Sequence, residues 1–199
     1  GSSGSGKSTI IKLLLGLIKY NKGSILIDNK ELKKINLNSL YNNITYLSQE
    51  VPIFDGTLRE NIVFDKKVSD TLLEEVLKLV CLDKFYEKLD TELGEKGIKC
   101  SGGERQKIAL ARLFFDSSKI IILDEATSAI DNISEKIVMK NVTKKLKDKT
   151  IIIITHKLEM LKEVDNILVL KEGNIYEQGN YKELLSKNDY FTKLYKAKK

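Results

Sequence analysis

The first nine residues, GSSGSGKST, carry the clearest chemical pattern in the chain. Gly1, Gly6, Lys7 and Ser8 have the spacing G-x-x-x-x-G-K-[ST] of a phosphate-binding loop. In such a loop glycines let backbone N–H groups curl around phosphate oxygens, the lysine neutralises phosphate charge, and the serine hydroxyl faces magnesium. A terminal Gly/Ser run is also typical of a cloning tag or a flexible linker. The run continues without a break into KST and an apolar helical segment, and this favours the phosphate loop.

Two aliphatic runs are followed by polar residues that suit phosphate chemistry. Asp124 and Glu125 follow the run 120–123, and His156 follows shortly after the run 151–154. Ligands bind beyond the carboxyl ends of parallel strands, where one carboxylate can hold magnesium and the other can polarise an attacking water. Taken alone, an Asp–Glu pair is more often a helix cap, and a lone histidine is more often structural. The phosphate loop upstream favours the catalytic interpretation of both.

Ser101, Gly102 and Gly103 open a predicted helix and form a second candidate anion site. Such a sequence is equally compatible with an ordinary turn and helix cap. Its meaning therefore depends on the motifs that accompany it.

These residues need an α/β framework to position them, and the periodicity predicts one. The predicted helices are 8–17, a helical lobe over 57–89, a segment following 101–103, 133–146 and a terminal helix capped by Asn180. The predicted strands are 23–30 with a turn at 28–29, 44–47, 119–123, 150–155 and a hairpin over 167–178. Within 57–89 one apolar face is predicted from Leu72, Leu73, Val76, Leu77 and Val80. The two Ile-rich strands are typical of parallel strands covered on both faces.

The composition narrows the class of protein. The 199 residues are 42% hydrophobic and 31% charged, with no apolar run near the ~20 residues that cross a bilayer and no predicted secretory signal. The net charge of +6 comes from lysines scattered among 28 acids, so we expect a solvated surface and no nucleic-acid partner. The two cysteines have no metal-ligand spacing, which favours a reducing compartment.

In combination and order, the motifs resemble the nucleotide-binding domain of an ABC (ATP-binding cassette) transporter over residues 1–199. GSSGSGKST resembles Walker A, YLSQE with Gln49 the Q-loop, CSGGE at 100–104 the signature LSGGQ, IIILDE Walker B, SAID at 128–131 the D-loop, and His156 the switch histidine. PIFDGTLRENI at 52–62 and TELGEKG at 91–97 resemble exporter-type cassettes, where the second segment contacts the membrane domain.

The resemblance implies one ABC ATPase domain with a P-loop NTPase core, a mostly parallel sheet and an inserted α-helical subdomain. Residues 1–50 and 105–199 would form the RecA-like core, and 51–104 the helical subdomain with the signature. It also implies an N-terminally truncated chain that lacks the strand feeding Walker A, an antiparallel β-subdomain and an adenine-stacking aromatic residue. ATP binding would then be weaker, and the chain would be a piece of a longer exporter.

The same resemblance implies a site for ATP and Mg²⁺. Nucleotide would contact Gly1, Ser2, Ser3, Gly4, Ser5, Gly6, Lys7, Ser8 and Thr9, together with Ser101, Gly102, Gly103 and Asp131. Magnesium and its waters would be organised by Ser8, Gln49 and Asp124. The catalytic residues would be Glu125 as general base, His156 on the γ-phosphate, and Gln49.

The family works as head-to-tail pairs of nucleotide-binding domains, so Ser101 and Gly103 would serve the ATP of a partner, and Asp131 would link the two sites. The expected function is ATP hydrolysis that powers an exporter through partner transmembrane domains, at the cytoplasmic face of the plasma membrane. Two alternatives are a non-transport ABC ATPase in DNA repair or on ribosomes, and an inert fragment.

The signature departs from the family at two positions, where Cys100 replaces leucine and Glu104 replaces glutamine, and Ile130 replaces leucine in the D-loop. None of these changes removes a phosphate ligand. Because Cys100 lies beside a predicted helix N-terminus, we expect a lowered pKa and reaction with maleimide unless nucleotide closes the dimer.

Overall fold

The computed structural model describes residues 1–94, 97 and 99–197. The first of its two units contains Gly1–Asn42 and His156–Lys199, and the second contains Asn43–Thr155. Positions 95 and 96 of the segment TELGEKG lie outside the described residues. None of the helices in the described ranges has the length and apolar character that crossing a bilayer requires.

The second unit is built on a three-stranded parallel sheet. Its strands, in chain order, are β3 (Ile44–Leu47), β4 (Ile120–Asp124) and β5 (Thr150–Ile154), and they are adjacent in that order. Leu47 is paired with Leu123, and Leu123 with Ile153, so the carboxyl ends of the strands lie at one edge. The predicted α/β class with a parallel sheet is confirmed.

The two aliphatic strands differ in burial. Ile121, Ile122 and Leu123 of β4 are at most 2% exposed, whereas the four isoleucines of β5 are only half-buried. The prediction that both strands are covered on both faces is therefore correct for β4 and wrong for β5. The reason is position, because β4 is the central strand and β5 pairs only with β4 in the described part of the chain.

The second unit also contains helices that alternate with these strands along the chain. They are α3 (Leu58–Val63), α4 (Asp70–Leu79), α5 (Gly102–Arg112) and α6 (Asn132–Lys145), with 3₁₀ turns at Asp83–Lys88 and Leu113–Phe115. Those within 57–89 confirm the helical prediction for that range. Each of the four α-helices is preceded by an N-cap residue whose side chain accepts a backbone N–H. These N-cap residues are Thr57, Ser69, Ser101 and Asp131. On α4, Leu72 is 46% exposed although the other predicted apolar residues are buried, because it lies at the margin of their arc.

The described residues of the first unit form two β-hairpins and four short helices. The hairpins are β1 (Leu26–Ile27) with β2 (Lys30–Glu31) and β6 (Ile167–Lys171) with β7 (Asn174–Gly179); the helices are α1 (Lys7–Leu14), α2 (Leu37–Tyr41), α7 (Tyr181–Ser186) and α8 (Tyr190–Lys196), with 3₁₀ turns at Leu32–Lys34 and Leu158–Glu163. Both predicted turns are confirmed, since the central residues Asp28, Asn29, Glu172 and Gly173 all have positive φ, as two-residue type I′ turns require.

The end of the chain differs from its prediction, because two helices replace the single terminal helix. Asn180 caps α7 as expected, but Asn188 then adopts φ 49°, which interrupts the helix before α8. One backbone N–H in the first turn of α8 is bonded by a residue of β7. Glu177 is buried, and its Oε2 accepts the Phe191 N–H at 2.6 Å. That contact joins residues 14 positions apart and is invisible to local sequence patterns.

Candidate functional site

The loop over residues 1–6 has the backbone shape of an anion cradle. Gly4 and Gly6 adopt φ 74° and 103°, in the left-handed region that glycine tolerates without strain. A Cβ on Gly4 would meet nothing within 4 Å, so the space above the loop is open. Ser5 is buried beneath it, while Ser2, Ser3, Ser8 and Thr9 are exposed.

A tertiary contact holds this loop in shape. The Gly173 N–H in the β6–β7 turn donates to the Ser5 carbonyl at 3.1 Å. A Cβ on Gly1 would lie 2.1 Å from the carbonyl oxygen of Leu170, so only glycine fits there. The β6–β7 hairpin therefore supports the loop, and sequence reasoning assigned it no such role.

The loop and the start of α1 together form a positive site. Lys7 Nζ donates to the carbonyls of Gly1 at 3.1 Å and Ser2 at 2.8 Å and lies 3.4 Å from Ser5 Oγ. The N-cap of α1 is Gly6, which has no side chain to cover the first N–H groups, whereas α3, α5 and α7 have capping boxes. Open N–H groups at a helix N-terminus beside an ammonium group fit an anionic phosphate chain.

Asp124 and Glu125 lie at the carboxyl end of β4 in the second unit. Tyr46 Oη donates to Asp124 Oδ2 at 3.1 Å. The pKa of Tyr46 is raised mainly by burial and secondly by the negative charge of Asp124. Glu125 adopts φ 53°, an uncommon conformation for a residue with a side chain, and its N–H donates to the Ile154 carbonyl at 3.0 Å. Such backbone strain is concentrated at functional sites and here sets where the Glu125 side chain starts.

Ser101 is the N-cap residue of α5 and forms a capping box with Glu104. Its N–H donates to Glu104 Oε2 at 2.7 Å, and the Glu104 N–H donates back to Ser101 Oγ at 3.2 Å. Lys84 forms an ion pair with the same carboxylate. Burial alone raises the pKa of Glu104, but hydrogen bonds from Lys84 and Ser101 outweigh it and lower that pKa to about 2. A charged carboxylate therefore shares the helix N-terminus that the sequence offered as an anion site.

The loop between β4 and α6 packs on the start of α5. A Cβ on Gly103 would lie 2.8 Å from the Ala129 carbonyl oxygen. Asp131 Oδ1 accepts the Ser134 N–H at 2.9 Å, and hydrogen bonds from Ser134 lower the pKa of Asp131. An open cavity of about 420 Å³ is lined by residues of both segments, among them Ser101, Gly102, Gly103, Glu104 and Asp131.

The predicted site residues are distributed over both units. The phosphate loop and the exposed His156 belong to the first unit, and Gln49, Asp124 and Glu125 belong to the second. Within the described ranges no three His, Cys, Asp or Glu side chains form a metal-binding group. The proposed magnesium ligands are instead a hydroxyl, an amide and a carboxylate, all hard oxygen donors of the kind that Mg²⁺ prefers.

The expectation for Cys100 is wrong. Its side chain is only 5% exposed, and burial, aided by Glu104, raises the pKa of its thiol although Arg105 and Lys84 oppose this. The neighbouring helix N-terminus is occupied by the Glu104 carboxylate, so it does not favour a thiolate.

We therefore expect N-ethylmaleimide to label Cys100 about tenfold more slowly in the native protein than in the urea-unfolded chain, even without nucleotide. Peptide mass spectrometry at pH 7 measures the two rates, and the half-buried Cys81 in the same sample provides an internal comparison. Equal native and unfolded rates at Cys100 would contradict the buried position.

Sequence reasoning missed two polar residues beside the predicted motifs, Tyr46 and Gln106. The signal for Gln106 was present, since it shares the helical spacing of Ala109, Leu110 and Leu113 and thus lies on the apolar stripe of α5. Gln106 is 3% exposed, and a polar residue on such a stripe must find partners. Tyr46 had no comparable signal, because its partner Asp124 is far away in sequence.

Comparison with known proteins identifies the family of the chain. The family model described as ABC transporter matches residues 1–128. The ATP-dependent lipid A-core flippase 2 of Colwellia psychrerythraea is 41% identical over 99% of the chain, and the ATP-dependent lipid A-core flippase of Sodalis glossinidius is 40% identical over 98%. The chain spans 35% and 34% of these two proteins.

A solved structure of a bacterial Atm1-family ABC exporter with ATP bound superposes with a TM-score of 0.90 at 32% identity, covering 100% of this chain and 36% of that one. The fold, the motif order and the family match thus agree. The chain belongs to the ABC transporter family and is an ATP-binding domain homologous to those of exporters.

Proposed function

We propose that this domain hydrolyses ATP with Mg²⁺ and that the hydrolysis powers an exporter through partner transmembrane domains. The observation that carries the proposal is the N-terminus of α1, where the N-cap Gly6 makes no side-chain cap and Lys7 lies across the open loop. The relatives support the exporter assignment over a role in DNA repair or on ribosomes, since both of those named above are flippases. The site residues indicate where this domain hydrolyses ATP. We assign the selection of the transported substrate to the membrane domain.

Phosphate binding follows from the geometry of the loop. Lys7 exchanges its bonds to the carbonyls of Gly1 and Ser2 for the β- and γ-phosphate oxygens, which bear full charge. The backbone N–H groups of residues 4–8 supply the remaining donors, and the α1 dipole favours the negative charge. The open space above Gly4 leaves room for phosphate.

In the proposed hydrolysis, a water in line attacks the γ-phosphorus while the bond to the bridging β–γ oxygen breaks and ADP leaves. Glu125 accepts the proton of that water as general base, and His156 donates to a γ-phosphate oxygen. Ser8, Gln49 and Asp124 would hold magnesium, which would supply positive charge to neutralise the phosphate oxygens. Tyr46 holds one oxygen of Asp124, so the other oxygen stays available as a ligand.

The complete site requires a second nucleotide-binding domain. In a head-to-tail pair, Gly102 and Gly103 contribute backbone N–H groups and Ser101 its hydroxyl to the ATP of the partner, and Asp131 lies between the two sites. The Lys84–Glu104 ion pair neutralises the carboxylate that would otherwise repel that ATP. Function through transmembrane domains places the chain at the cytoplasmic face of the plasma membrane, and no nucleic acid is involved.

Replacing Lys7 with alanine is expected to weaken Mg-ATP binding about tenfold, because charge-assisted hydrogen bonds to phosphate are lost. Titration of the purified chain with a fluorescent ATP analogue measures the dissociation constant. Lys12→Ala is the matched control, since Lys12 lies exposed on the same helix, in its last turn. Absence of binding to the parent chain, or equal affinities for the parent and Lys7→Ala, would refute the nucleotide site.

A further inference from the structure

The side chain of Gln106 on α5 joins three segments of the second unit. Its Nε2 donates to the Gln49 carbonyl and to Ser128 Oγ, each at 3.1 Å. Its Oε1 accepts the Ala129 N–H at 2.8 Å. The side chain is 3% exposed, so these contacts replace water completely.

Each partner lies in a segment to which a different part of the site is assigned. Gln49 follows β3 and carries a proposed magnesium ligand on its own side chain. Ser128 and Ala129 precede Asp131 in the loop between β4 and α6. Gln106 itself is one turn beyond Ser101 on the helix that carries the proposed site for the ATP of the partner.

The arrangement favours concerted movement of these segments. A buried amide that loses a partner incurs the desolvation cost of an unsatisfied polar group, so displacing one segment alone is unfavourable. Gln106 bonds segments that are distant from it in the sequence, since Gln49 lies 57 residues away and Ala129 lies 23 residues away. Gly103 adds a second restraint, because it packs directly on the Ala129 carbonyl.

We propose that Gln106 is a positioning residue that links the Q-loop segment at Gln49, the D-loop segment at Ser128 and Ala129, and the signature helix into one mechanical element. The inference rests on the proposed function in one respect, namely that these segments act on nucleotide. The amide of Gln106 is buried and bonded to these segments, so we assign it no direct contact with nucleotide or magnesium. Its loss therefore acts on the catalytic rate more than on ATP binding.

Two substitutions of Gln106 test its hydrogen bonds, one by removing all of them and the other by removing some of them. Gln106→Met keeps the approximate volume and removes all three hydrogen bonds. Gln106→Glu keeps an acceptor for the Ala129 N–H but removes the donor to the Gln49 carbonyl. Ser128→Ala removes a single bond and provides a milder variant in case Gln106→Met lowers the folded population.

Asn61→Leu is the matched control for buried-amide loss. Asn61 is 1% exposed, and its side-chain amide bonds Phe54 and Thr57 at 2.8–3.0 Å. It reaches α5 at the last residue, where Arg112 Nη2 donates to Asn61 Oδ1 at 3.5 Å, at the opposite end of that helix from Ser101. We expect it to lower thermal stability in the manner of Gln106→Met. Its kcat below the unfolding transition should stay within about twofold of the parent chain.

The primary readout is amide hydrogen exchange in the purified chain, which does not depend on activity. In Gln106→Met, exchange at Ala129 should accelerate about tenfold or more and peptides around Gln49 should lose protection with it, because both lose their shared restraint. In Gln106→Glu, Ala129 should stay protected while the Gln49 segment loosens. The second readout is steady-state ATPase, where Gln106→Met should lower kcat about tenfold with KM changed less than about threefold.

Different outcomes identify which proposal fails. If the parent chain neither binds nor hydrolyses Mg-ATP, the proposed function fails, and hydrogen exchange alone then decides the linkage. Loss of protection at Ala129 without change at the Gln49 segment, or unchanged exchange at both, overturns the linkage. If the parent chain is active, a kcat for Gln106→Met within about twofold of the parent also overturns it.

Discussion

Replacing Glu125 with glutamine is expected to lower ATP turnover about 100-fold or more while changing ATP affinity less than about threefold, because a positioned general base contributes 10²–10⁴-fold to rate. Glutamine keeps the shape of the side chain and cannot accept the proton from water. The backbone at this position, at φ 53° with its N–H bonded to Ile154, should be retained because the substitution leaves both unchanged.

Phosphate release from the purified chain measures the turnover, and the fluorescent ATP analogue measures affinity in parallel. Glu172→Gln is the matched control, since Glu172 is also an acidic residue at positive φ, 51°, in a turn after a strand, and the bond from this turn to the phosphate loop joins the backbone atoms of Gly173 and Ser5. We expect its turnover within about twofold of the parent chain. A Glu125→Gln chain that binds ATP and turns over at nearly the parental rate would assign the general base to another group.

Replacing Gly103 with alanine is expected to destabilise the second unit by about 1–3 kcal/mol, the usual cost of forcing an extra group into a packed site. The new Cβ would lie 2.8 Å from the backbone oxygen of Ala129, a distance that requires the loop or the helix to shift. Because that loop also holds Asp131, the shift should reduce ATP turnover as well.

Gly102→Ala separates the clash from helix propensity. Both glycines lie in the first turn of α5, and alanine is the better helix former by about 1 kcal/mol at either position. The Cβ at position 102 would meet the Ala129 methyl group at 3.4 Å and Arg105 Nη2 at 3.9 Å, both side-chain atoms. Urea unfolding of both variants should therefore show Gly103→Ala clearly less stable than Gly102→Ala, and equal stabilities would contradict the close packing.

Local sequence chemistry predicted much of the fold. The Asp28–Asn29 and Glu172–Gly173 turns, the Asn180 cap and the helices of 57–89 depend on residues within a few positions of each other. The failures involve distant partners. Cys100 was expected to be reactive because it precedes a helix, whereas its burial and the Glu104 carboxylate decide its pKa.

The candidate site shows the same division. The positions of Lys7, Asp124 and Glu125 relative to a helix start and a strand end follow from local patterns. The contacts of Tyr46 with Asp124 and of Gln106 with Gln49 do not, because they join side chains 78 and 57 residues apart. The division of the ATPase domain into a core and a helical part over 51–104 stays a prediction.

By itself, the sequence determined the family, the order of the motifs and the residue types available for phosphate and magnesium chemistry. Those features depend on residue identity and short spacing, which a linear pattern contains. Only the tertiary structure decided that the β6–β7 turn supports the phosphate loop, that a charged Glu104 shares the start of α5, and that Gln106 joins three segments. Burial and partnership at these positions arise from chain packing between distant residues, which no local periodicity encodes.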